Sequence, residues 1–100
     1  MPSYHVSVPH SLGSAAARAR LDKFLEDVRR EYAAYLGDVS GAWNADCLDF
    51  RFHAAGLPIS GKLAVEETSV QVSGHLPLAA ALFRGRIERT IQDELRKLLS

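Results

Sequence analysis

Residues 76–100 read LPLAAALFRGRIERTIQDELRKLLS, and this stretch decides the fold. From Phe83 onward the apolar residues fall at Phe83, Ile87, Ile91, Leu95 and Leu98. Steps of four, four, four and three put all five on one side of an α-helix. Arginines, acids and amides fill the other sides. A helix with one apolar stripe is unstable alone and needs a surface to lie on. The segments upstream supply that surface.

Tyr4, Val6 and Val8 alternate with His5 and Ser7, the period of a strand, and Pro9 ends it. Ser11 or Ser14 is expected to cap the next element. Ala15 to Leu36 predicts a long helix: Ala17, Leu21, Phe24, Val28, Tyr32 and Tyr35 form its stripe, widened by Leu25 and Leu36. Gly37 stops it, since glycine takes a left-handed cap cheaply. Four strands follow. Ser40–Asn44 is weak and centred on Trp43. Cys47–His53 turns Leu48, Phe50 and Phe52 one way and Cys47, Asp49, Arg51 and His53 the other. Ala54–Pro58 reads as a loop. Ile59–Glu66 and Ser69–Leu76 complete the set, with Gly61 and Gly74 in their apolar rows. Pro77 then breaks the last strand.

The expected fold is α+β, in the order β-α-β-β-β-β-α. Short connections imply an antiparallel sheet of four to five strands. One face is apolar and the other polar, so the two helices cover one face only. This order resembles the TBP-like arrangement and a reduced helix-grip fold, in which a curved sheet wraps a C-terminal helix. By that resemblance the first strand joins the sheet beside the last.

Composition narrows the class. A chain of 100 residues with 47% apolar and 24% charged side chains reads as one globular domain, not a disordered one. Twelve basic residues balance twelve acidic ones, which argues against specific nucleic-acid binding. The lone Cys47 forms no internal disulfide and fits a reducing cytoplasm. Met1-Pro2-Ser3-Tyr4-His5 does not open like a signal peptide, and no apolar run approaches the ~20 residues of a membrane span.

Several segments together resemble the small bacterial polyhydroxyalkanoic acid system protein family, associated with polyhydroxyalkanoate (PHA) granules. They are Pro9-His10-Ser11-Leu12-Gly13 with the Ala17-Arg18 helix start, Trp43 ahead of Leu48-Asp49-Phe50, and Gly61-Lys62-Leu63. The most telling is Leu82-Phe83-Arg84-Gly85-Arg86-Ile87-Glu88, running into Ile91 and Glu94-Leu95. The resemblance implies a place in polyester storage. It implies no catalytic residue.

The residues themselves offer few sites. His5, His53 and His75 share the polar sheet side, where imidazoles could bind a metal with Cys47 or Asp49 as a third ligand; scattered surface histidines are the expected reading. Cys47 has no readable base or oxyanion site, so it is expected to fill space at a strand start. Ser11 beside His10 meets the same objection. Gly37, Gly41 and Gly56 form no phosphate-cradling motif, and no cofactor is expected.

Two features of residues 78–89 stand out. Arg84, Arg86 and Arg89 crowd a helix N-terminus, where an exposed cation is unfavourable by about 0.3–1 kcal/mol. A bound anion would explain them: a phosphate, a lipid head group or a polyester carboxylate. Leu78, Leu82 and Phe83 make an apolar segment wider than one stripe, suited either to the core or to a contact surface. The expected function is therefore a non-enzymatic accessory protein of PHA storage, cytoplasmic or granule-associated. It would bind the granule or a PHA-pathway protein through Leu78, Leu82, Phe83, Arg84, Arg86 and Arg89. The alternative is a carrier of a small apolar ligand or lipid, in a cavity between sheet and C-terminal helix. An unpaired edge at the Ser40–Asn44 strand or the open polar sheet face could also serve a homodimer.

Overall fold

The computed structural model describes residues 2–31, 39–54 and 56–100. Its elements are β1 (Ser3–Pro9), α1 (Ser14–Glu31), β2 (Ser40–Asn44), β3 (Cys47–Ala54), β4 (Leu57–Val65), β5 (Ser69–His75), a 3₁₀ segment (Leu78–Phe83) and α2 (Arg84–Leu99). The order β-α-β-β-β-β-α is the one the sequence predicts, and the sheet is antiparallel throughout. Its spatial order is β1-β5-β4-β3-β2, so β1 does join beside β5. The expected end of α1, with Tyr32, Tyr35, Leu36 and Gly37, lies outside the described residues.

Alternation sets the two faces. Tyr4, Val6 and Val8 are buried, as are Ile59, Leu63 and Val65 of β4 and Val70 and Val72 of β5. Ala17 and Leu21 of α1 and Leu95 and Leu99 of α2 close over them in one core. Leu25 packs on that core where Gly41 leaves room: a Cβ at Gly41 would meet the Leu25 side chain at 2.9 Å. Phe24 stays half-buried. The loop expected over Ala54–Pro58 is shorter than that, because β3 runs on to Ala54, which pairs with Leu57. Gly56, at φ 78°, takes the left-handed conformation such a tight connection needs.

The cap of α1 also differs from expectation. Among the described residues no serine hydroxyl caps it. Gly13, at φ 82°, precedes the helix and its carbonyl accepts the Ala17 N–H at 3.1 Å. The Ser14 N–H donates to the Glu67 carboxylate at 3.3 Å, which suits the positive end of the helix dipole.

Side chains from the helices cover both sheet edges, which limits stray strand pairing. On the β1 side, Glu88 of α2 accepts the His5 backbone N–H at 3.0 Å. On the β2 side, Arg29 of α1 donates to the Val39 and Gly41 carbonyls, each at 3.3 Å. The β2 edge expected to be open for dimerisation is thus partly occupied.

Candidate functional site

Pro77, at φ −62°, starts the 3₁₀ segment after β5. Leu76 is fully buried and its N–H donates to the Pro2 carbonyl at 2.8 Å. Ala80 is also buried, and its N–H reaches back to the Pro77 carbonyl at 2.9 Å. These two anchors fix the segment, and its large side chains turn outward. Leu78 is 79% exposed, Leu82 90% and Phe83 53%.

This corrects the place of Phe83 in the stripe. Phe83 precedes α2 with φ −103° and ψ 11°, which is not helical. The 3₁₀ rotation of about 120° per residue, against 100° in an α-helix, carries it off the line of Ile87. The stripe of α2 is Ile87, Ile91, Leu95, Leu98 and Leu99. Leu99 was not foreseen in that stripe, although it stands four residues after Leu95.

Arg84, Arg86 and Arg89 follow directly, and all three are exposed. Glu88, their only acidic neighbour in these turns, is drawn to the β1 backbone. Among the described residues no carboxylate lies within ion-pair distance of the three arginines. The result is an apolar ledge with an adjoining, uncompensated positive patch.

The histidines do not assemble. His5 stands opposite Ser73, His75 opposite Ser3, and His53 opposite Pro58. His5 and His75 are therefore offset along the pair, and His53 lies strands away. Among the described residues no group of three or more His, Cys, Asp or Glu side chains could hold a metal ion. His10 is engaged in the turn before α1. Its Nδ1 accepts the Leu12 N–H at 3.2 Å, which leaves Nε2–H to donate to the Glu66 carbonyl at 3.1 Å. Cys47 fills no space, being exposed on the polar face opposite Ala64.

The expected room over Gly61 and Gly74 is taken. The two glycines face each other across β4 and β5, and Tyr4 and Phe50 flank them in the same cross-strand row. A Cβ at Gly61 would meet the Tyr4 hydroxyl at 2.6 Å and the Phe50 ring at 2.9 Å. A Cβ at Gly74 would clash with the Ser60 carbonyl. The Tyr4 hydroxyl donates to that carbonyl at 3.2 Å, and burial pushes its pKa up to about 12.

These features define a small sheet-and-helix protein with a sticky, basic ledge at one end. The chain belongs to the family described as "Putative polyhydroxyalkanoic acid system protein", whose model matches residues 4–99. The protein thus has a PHA-related context, as the Phe83-Arg84-Gly85-Arg86-Ile87-Glu88 segment implied. No curated protein matches the chain. No helix among the described residues is long and apolar enough to cross a membrane.

Proposed function

We propose that the protein is a non-enzymatic accessory factor of PHA storage, which binds the granule surface through the ledge at residues 78–89. One observation carries this reading. Three large apolar side chains stand exposed in a six-residue segment, next to three arginines without an ion-pair partner among the described residues. Burying a leucine or phenylalanine fully is worth about 1.5–3 kcal/mol, an upper bound because binding also orders the chain. Leu78, Leu82 and Phe83 would enter the apolar surface, while Arg84, Arg86 and Arg89 meet anionic head groups or polyester carboxylates. The location would be cytoplasmic, at the granule. The engaged His10 and the exposed, unassisted Cys47 support a role without bond breaking. The carrier reading loses its support, because Tyr4 and Phe50 fill the space above the glycine pair.

Mixing the protein with purified polyester granules and spinning tests this. The wild type should pellet, moderate salt should weaken pelleting, and a Leu82→Asp, Phe83→Asp variant should stay in the supernatant. Wild-type protein left in the supernatant overturns the granule reading. Its capture of a PHA-pathway protein instead, lost in the same variant, would make that protein the occupant of the ledge.

A further inference from the structure

The sheet face away from the helices holds a second feature, unrelated to the ledge. An open trough of about 750 Å³ lies across it. Two adjacent cross-strand rows form it. One runs Ser3–His75–Ser60–Arg51 and the other His5–Ser73–Lys62–Asp49. Ser60 and Ser73 are short, so the middle is low, while Arg51 and Lys62 rise on one side and the imidazoles on the other. The Cα atoms of Arg51 and His75, two strands apart, are roughly 10 Å from each other at the usual sheet spacing.

The trough differs from the row beside it in how its polar groups are used. In that next row Gln71 Nε2 donates to Ser7 Oγ at 2.8 Å and to Ser69 Oγ at 3.2 Å. In the trough, Arg51 makes no hydrogen bond or ion pair among the described residues, nor do the hydroxyls of Ser60 and Ser73. Lys62 reaches Asp49 only at 4.0 Å. Cationic donors therefore outnumber the carboxylates here, with Asp49 the one acid in the two rows. Neither row carries an aliphatic side chain, although Tyr4 and Phe50 of the row between them also line the trough.

We propose that this trough binds a small oxyanion, a phosphate or a carboxylate, held by Arg51 and Lys62 over the hydroxyls of Ser60 and Ser73. A planar guanidinium suits either group, because two parallel N–H bonds match two oxygens. His5 and His75 supply further donors from the opposite bank. Asp49 opposes the anion and draws on Lys62, so it sets a ceiling on affinity.

Titration of ¹⁵N-labelled protein with inorganic phosphate, and separately with acetate, tests the proposal against sodium chloride of equal ionic strength. Saturable shifts are expected at the amides of Arg51, Ser60, Lys62 and Ser73 and at the His5 and His75 rings. Saturation by phosphate alone assigns a phosphoryl ligand; saturation by acetate as well admits a carboxylate. An Arg51→Ala, Lys62→Ala variant should lose at least about tenfold in affinity, having lost two charge-assisted contacts. Asp49→Asn should gain about two- to fivefold, the range of an exposed ion pair. Both variants should melt like the wild type and pellet with granules as it does, which separates this site from the ledge. Shifts that match chloride, shifts confined to Arg84, Arg86 and Arg89, or full affinity in the double variant would each overturn the proposal.

Discussion

The two helices carry arginines at similar density, yet use them in opposite ways. In α1, the Arg18 guanidinium lies 4.6 Å from the Trp43 ring centroid and 3.9 Å from Asp46. Arg20 donates to the Leu98 carbonyl at 3.0 Å and the Ser100 carbonyl at 2.8 Å, tying down the end of α2. Arg29 holds the β2 edge, and Arg30 pairs with Asp27 at 2.8 Å. In α2, Arg84, Arg86 and Arg89 hold nothing within the described residues. Charge counts treat the two sets alike. The difference teaches that an arginine's role is set by which carbonyls the fold brings near it, and that those left over are the ones available to a partner.

The contrast between the helices can be tested from its strongest element down. The buried anchors should not distinguish them: Leu21→Ala in α1 and Leu95→Ala in α2 should each cost about 2–5 kcal/mol in urea unfolding. A marked inequality would show that one helix only leans on the core. Tyr4, outside both helices, offers a reference of similar size. Its folded pKa of about 12 lies above the ordinary tyrosine value of 10. The neutral phenol is therefore favoured by folding, and its contribution is complete below pH 10. As pH rises toward 12, about 2–3 kcal/mol should be lost, and Tyr4→Phe should flatten that slope.

The arginines come next. Arg20→Ala and Arg29→Ala should each lower stability by about 1 kcal/mol, since each frees two carbonyls at exposed sites. Arg86→Ala should leave unfolding within about 0.5 kcal/mol of wild type. Replacing Arg84, Arg86 and Arg89 together by Ala should raise stability slightly, by about 0.3–1 kcal/mol per removed charge at most, because they crowd a positive helix end. The same triple variant should pellet poorly with granules, whereas Arg20→Ala should pellet normally when folded. If the triple variant unfolds more easily instead, those arginines are structural and the contrast between the helices fails.

Much of the fold was legible in local pattern. Tyr4, Val6 and Val8 against His5 and Ser7, or Leu48, Phe50 and Phe52 against Asp49 and Arg51, state a strand and its inner face without help. The stripe from Ile87 to Leu98 states a helix in the same way. The misses share a cause. Phe83 fits the four-residue step, but the 3₁₀ segment that starts after Pro77 shifts its phase. A serine looked sufficient to cap α1, yet Glu67 reaches that end from the β4–β5 connection, 53 residues further along the chain. Of the trough, alternation placed His5, His75 and Asp49 on the polar side, but Arg51, Lys62, Ser60 and Ser73 meet only through strand register.

The sequence by itself determined the order of the elements, the two faces of the sheet and the family, because alternation and helical period act between near neighbours in the chain. Only the tertiary structure decided which arginines are engaged and which are left over, why Glu88 deserts its neighbours for the β1 backbone, and where Tyr4 closes the gap over two glycines. Those outcomes depend on distances of a few ångströms between residues dozens of positions apart, and such distances exist only once the sheet has set its register.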